Sequence, residues 1–175
     1  MDISSISREV EKVQSKYDQS DPSKLCADMK ISLLSYPMGQ FENACKGFYM
    51  EQSRKRIIVI NCELDPLIKR IVLVHELGHA VLHRNLPDLK SFHDFSLFGN
   101  TSIYEYEANV FAADFILDDQ DVLRILNEDI SFFDAAAILN VPAELLDFKF
   151  RILKKKGYKI IDPPINAGSN FLKKY

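Results

Sequence analysis

The segment His75-Glu76-Leu77-Gly78-His79 constrains this chain more than any other. It lies in an apolar run from Ile71 to Leu82, downstream of Asp65-Pro66, a helix-start pair of N-cap and first-position proline. Ile68, Ile71, Val72, Leu77 and Val81 continue a helical pattern and predict a helix from there to about Arg84. On a helix, positions i and i+4 lie about 40° apart around the axis, so both imidazoles leave the same face. Ionisable groups in so apolar a helix are costly unless partnered. Gly78 costs about 1 kcal/mol against Ala inside a helix, which points to close approach of another element. The fold must therefore cover this helix with a partner that satisfies its polar face.

The same spacing suits one Zn²⁺ held by two neutral imidazole nitrogens at about 2.0–2.1 Å. Glu76 projects beside that face, placed to accept a proton from a water molecule at the metal rather than to ligate. Zinc acidifies water, and a base takes the proton as the water attacks a carbonyl; the acid so formed can protonate the leaving amine. A catalytic zinc site takes three protein ligands and keeps one position open. Three sources offer the third. His83 extends the series but drifts about 80° from His75 and reads as a helix-end residue, favourable there when charged. His93 falls in the loop-like stretch from Asn85 to Asn100. The third source is Tyr104-Glu105-Tyr106-Glu107-Ala108-Asn109 on the next helical segment, about Ser102 to Leu117.

Glu105 and Asn109 share a face of that segment, and the small Ala108 beside them permits close packing on the histidine helix. Asn109 is then a candidate hydrogen-bond partner for a ligand histidine. Glu107 points about 200° away from Glu105, so the two cannot both ligate. Geometry favours Glu105 as ligand, although Ser102-Ile103-Tyr104-Glu105 also reads as a capping box. Tyr104, Tyr106 and His93 are candidate oxyanion donors.

The stretch from His75 to His83, followed by Glu105-Tyr106-Glu107-Ala108-Asn109-Val110-Phe111-Ala112-Ala113, resembles the ImmA/IrrE family of zinc metallopeptidases. Gly47-Phe48-Tyr49 and Ile58-Val59-Ile60-Asn61 are similar to that family's strands, and the likeness spans about Leu25 to Leu117. The resemblance implies a gluzincin-like core and places the third ligand at Glu105. It also implies a substrate class, a transcriptional repressor of a mobile element, prophage or stress operon, cleaved at a specific site. One departure is Asp118-Asp119, where the family often carries Pro soon after the second helix.

The remaining chain sets the organisation. Ile3, Ile6, Val10, Val13 and Tyr17 predict an amphipathic first helix, and Asp21-Pro22 opens a short second one to about Met29. Residues 30–36, 46–50 and 56–61 read as strands, the last two forming a hairpin through the polar turn 51–55. Helical patterns follow at 119–127, 132–139 and 142–155. The expected fold is α+β: a small antiparallel sheet packed with a zincin-type pair of active-site helices, followed by a short helical, helix-turn-helix-like module. The corresponding divisions are a peptidase core at 1–120, the module at 121–157 and a basic tail at 158–175, expected to be extended or loosely held.

Composition restricts the alternatives. At 175 residues, with 47% hydrophobic and 27% charged residues, the chain can bury a core without disulfides. Cys26, Cys45 and Cys62 form no CxxC pair, which disfavours a cysteine zinc site and fits a reducing cytoplasm. No run approaches the roughly 20 apolar residues of a membrane span, so no membrane partner is expected. A net charge of −3 argues against a nucleic-acid binder, yet Arg151 to Tyr175 hold seven Lys or Arg and one Asp. The module's second helix opens with Pro142-Ala143-Glu144, offering a carboxylate rather than base-edge donors, which disfavours DNA binding, while Lys154-Lys155-Lys156 leaves the module as the one place for it. The reading is a zinc endopeptidase acting on a repressor, through His75, His79, Glu105 and Glu76. The competing class is a non-catalytic regulatory protein that binds a repressor or DNA on the same scaffold.

Overall fold

Asp2 starts the first helix, α1 (Ile3–Tyr17), by accepting the Ser5 amide at 2.7 Å. The computed structural model describes residues 1–41, 44–84 and 101–175, the side chains of 101 and 102 excepted. Asp21 caps α2 (Pro22–Asp28) in the same way. Three strands follow, β1 (Ile31–Tyr36), β2 (Gly47–Gln52) and β3 (Lys55–Asn61), and then α3 (Pro66–Leu82) and α4 (Thr101–Ile116). The chain continues through α5 (Asp119–Leu126), α6 (Phe132–Ile138), α7 (Ala143–Lys155) and a terminal 3₁₀ turn at Phe171–Lys174.

The fold is α+β, as expected, but its sheet is mixed rather than wholly antiparallel. Strand β3 is central, in the order β1-β3-β2. Strands β2 and β3 form the expected antiparallel hairpin, from Gly47 opposite Ile60 to Gln52 opposite Lys55. The turn is tighter than the sequence suggests: Ser53 and Arg54 form it with φ of 51° and 64°, the left-handed pair that matches strand twist. Strand β1 joins β3 in parallel, from Ile31 opposite Arg56 to Tyr36 opposite Asn61. This parallel pairing arises because the chain passes from one edge of the sheet to the other before β2. The buried Asn61 holds that crossing, donating to the carbonyls of Gly39 (2.7 Å) and Cys45 (3.1 Å) and accepting from the Met38 amide.

Helix α3 packs on β2 and β3 and on α4, and most of its length is buried. The approach of α3 to α4 is close at Gly78, as its presence in a helix suggests. A Cβ at Gly78 would lie 3.2 Å from both Ala108 Cα and Phe111 Cβ. Gly78→Ala is expected to push the two helices apart, with overpacking of about 1–3 kcal/mol only partly offset by the helix propensity of alanine. Thermal unfolding should show a lower Tm; an unchanged or raised Tm would mean that α4 yields at no cost.

Helix α7 packs against α4 and α1 within the same hydrophobic core that holds α3. Leu145, Leu146, Phe148, Ile152 and Leu153 are fully buried, and Lys155 is the helix's only exposed residue. Lys149, 1% exposed, bridges Asp114 (2.6 Å) and Asp119 (2.5 Å), tying α7 to α4 and α5. Asp118, at the departure from the family's proline, caps α5 through the amides of Gln120 and Asp121. The tail is not loosely held: Asp147 accepts from the Ala167 amide at 2.9 Å, Arg151 donates to the Ala167 carbonyl at 2.8 Å, and Phe171 packs on Phe148. These anchors are groups of α7, Asp147 and Phe148 buried and Arg151 partly so, that leave no periodic trace in the tail's own sequence. No helix among the described residues is long and apolar enough to cross a membrane.

Candidate metal centre

The site forms where α3 and α4 meet. Asp65 caps α3 through the Leu67 amide at 2.8 Å, and Pro66 fills its first turn. From that start, His75, Glu76 and His79 fall in the buried C-terminal half of the helix, each 4% exposed or less. The imidazoles lie together, Nε2 to Nε2 at 3.1 Å. Glu105 comes from α4, its Oε2 3.2 Å from His75 Nε2 and its Oε1 3.4 Å from His79 Nε2. Its carboxylate thus engages the histidines rather than closing a capping box.

These three side chains suit a metal ion. One donor atom from each of His75, His79 and Glu105 lies within 4.8 Å of the others. Glu105 Oε1 is buried without a hydrogen bond among the described residues, a lone pair that a cation would satisfy. Two imidazoles and one carboxylate form a donor set common at catalytic zinc.

Neighbouring groups set the state of each donor. Asn109, fully buried, places Oδ1 2.8 Å from His75 Nδ1, so His75 donates there and keeps Nε2 for the site. Asn109 in turn donates to the Ser169 carbonyl at 2.7 Å, which brings the tail into contact with this layer. Burial pushes the Glu76 carboxyl up from the usual range, against the pull of both histidines. A carboxylate poised upward is better matched to proton transfer near neutrality. Burial also works to raise Glu105, but the two imidazoles of His75 and His79 beside it hold it well below the ordinary carboxylate range.

Other candidates fall elsewhere. His83 is the C-cap of α3 but is buried, and burial drives its pKa down to about 3, so it is not the charged helix-end group its position suggested. Tyr104 packs edge-on against His83, ring centroids 5.0 Å apart. Tyr106 turns toward α7, against Phe148 and beneath the Arg151 guanidinium. His93 lies outside the described residues. Glu107 is no member of the donor group, but it is buried and takes a hydrogen bond from His83 at 2.8 Å. The sequence signal for this contact was the third histidine at i+8 together with an acid two residues after Glu105, each of which looks idle alone.

Comparison with known proteins agrees with this geometry. The family described as IrrE N-terminal-like domain matches residues 26–151. The chain is 34% identical over 142 residues to a protein of Bacillus phage phi105 named uncharacterized immunity region protein 2, covering 80% of this chain and 85% of that one. It is 26% identical over 168 residues to the metallopeptidase ImmA of Bacillus subtilis (strain 168), covering 93% and 94%. With a His-His-Glu donor group at the junction of α3 and α4, a glutamate beside it and the family match running through both helices, this chain belongs to the ImmA/IrrE family of metallopeptidases.

Proposed function

We propose that this chain is a zinc-dependent endopeptidase that cleaves a specific repressor protein of a mobile element, prophage or stress operon in the cytoplasm. The observation that carries the reading is the convergence of the buried His75 and His79 with the partly buried Glu105 in one group, with Glu76 next to His75 on the same helix. His75 and His79 would hold zinc through Nε2 and Glu105 through its carboxylate. Zinc in this position supplies a Lewis acid for water and for the scissile carbonyl. Glu76 takes the proton of the attacking water and passes it to the leaving amine. Asn109 keeps His75 in the tautomer that leaves Nε2 free. The near-complete burial of His75, Glu76, His79 and Asn109 restricts water around them and strengthens each electrostatic contact.

A protein substrate, rather than an operator sequence, is supported by the C-terminal helices. A helix that reads the major groove presents base-edge donors on an open face. Helix α7 keeps only Lys155 exposed, while Lys154 pairs with Asp162 and Lys156 with Asp119. The kinship with a phage immunity-region protein supports a substrate that governs such an element. The test is incubation of the zinc-loaded chain with helix-turn-helix repressors, taken first from any encoded beside its gene, read by mass spectrometry. Cleavage at one site, stopped by a chelator and restored by zinc, is the expected result. A repressor left intact by the zinc-loaded chain would count against the reading.

A further inference from the structure

A histidine that gives Nε2 to a metal carries its proton on Nδ1, and that proton needs an acceptor. For His75 the acceptor is Asn109. For His79 the corresponding atom is a second imidazole: His79 Nδ1 lies 3.0 Å from His83 Nδ1. Two Nδ1 atoms at this distance share one proton, so one ring donates and the other accepts. The far side of His83 decides which. His83 Nε2 is 2.8 Å from Glu107 Oε2, a carboxylate oxygen that accepts from the ring. The proton of His83 therefore sits on Nε2, its Nδ1 is an acceptor, and His79 is the donor. That turns the His79 Nε2 lone pair toward the donor group, where Glu105 Oε1 lies at 3.4 Å.

The surroundings hold this order. His83 is 4% exposed and Glu107 3%, so water does not compete for either contact. Tyr104 packs edge-on against the His83 ring, fixing its plane. Glu107 belongs to α4 and His83 to the end of α3, so the chain of contacts spans the same two helices that supply the donor group. The N-terminal ammonium occupies the other carboxylate oxygen of Glu107.

We propose that His83 and Glu107 are a positioning pair: Glu107 sets the tautomer of His83, and His83 sets the tautomer and ring orientation of His79 for metal binding. The proposal rests on the metal-site reading above. It assigns no chemistry to either residue; both act through His79.

The test uses the full chain and reads zinc affinity by competition with a chromophoric chelator, together with the ligand-field spectrum of the Co²⁺ form. His83→Phe keeps a ring of similar size but offers no acceptor. It should bind zinc about 10–100-fold more weakly and shift the Co²⁺ spectrum, the usual scale for loss of a partner behind a metal ligand. His83→Asn places a carbonyl oxygen near the position of Nδ1 and should recover most of the affinity, which a role in packing alone does not predict. Where His83→Phe does not fold, Glu107→Leu and Glu107→Gln make the same comparison, because only the amide can still accept from His83. Wild-type affinity and spectrum in His83→Phe or Glu107→Leu would overturn the proposal, as would equal losses in the acceptor-bearing and acceptor-free variants. Failure of the metal-site reading looks different: the unmodified chain would then bind zinc at no defined stoichiometry.

Discussion

Glu76→Gln is expected to lower repressor cleavage by about 10²–10⁴-fold while zinc content stays near one per chain. The amide preserves the shape of the side chain and its place in α3 but cannot take a proton from water. Glu76 is buried beside two imidazoles, and its carboxyl is raised rather than lowered, the direction that suits a base which must later act as an acid. The variant should remain folded, because a neutral amide is easier to bury than a carboxylate. Metal analysis and a cleavage assay on one preparation separate the possibilities. Full activity would remove Glu76 from the mechanism. Loss of zinc along with activity would make it a ligand instead.

Glu105→Ala is expected to abolish stoichiometric zinc after dialysis, and activity with it. The substitution removes the one carboxylate of the donor group and leaves His75 and His79 as two ligands where three are usual. It also removes the orphaned Oε1 that marks where a cation fits. Glu107→Gln, which retains an acceptor for His83, should keep stoichiometric zinc; the reverse pattern would exchange the roles of the two glutamates. A capping role for Glu105 predicts something else, a stability loss of about 0.5–2 kcal/mol with metal binding intact.

Much of this centre was legible because helical spacing is a local property. The i, i+4 pairs His75/His79 and Glu105/Asn109 each set a face, and Ala108 and Gly78 announced how closely those faces approach. The hairpin of β2 and β3 was legible for the same reason, since its pairing is between neighbours in the chain. Strand β1 was different. Its residues specify a strand, but its parallel seat beside β3 depends on where the chain crosses, and that crossing is held by hydrogen bonds of the buried Asn61.

The amino-acid order alone therefore determined the helix-borne chemistry: which imidazoles and carboxylates share a face, where α3 and α7 begin, and which family the combined motifs resemble. Tertiary structure decided everything that depends on contacts between distant residues. It turned His83 from a helix-end cation into a buried neutral imidazole in contact with Glu107, because burial between α3 and α4 disfavours its charge. It fastened the basic tail, because Asp147 and Arg151 on α7 bond to the backbone at Ala167. It also drew Asn109 between His75 and the Ser169 carbonyl. Such contacts join residues far apart in the chain, and no periodicity records them: their free energy comes from burying polar groups together, which exists only once the helices have packed.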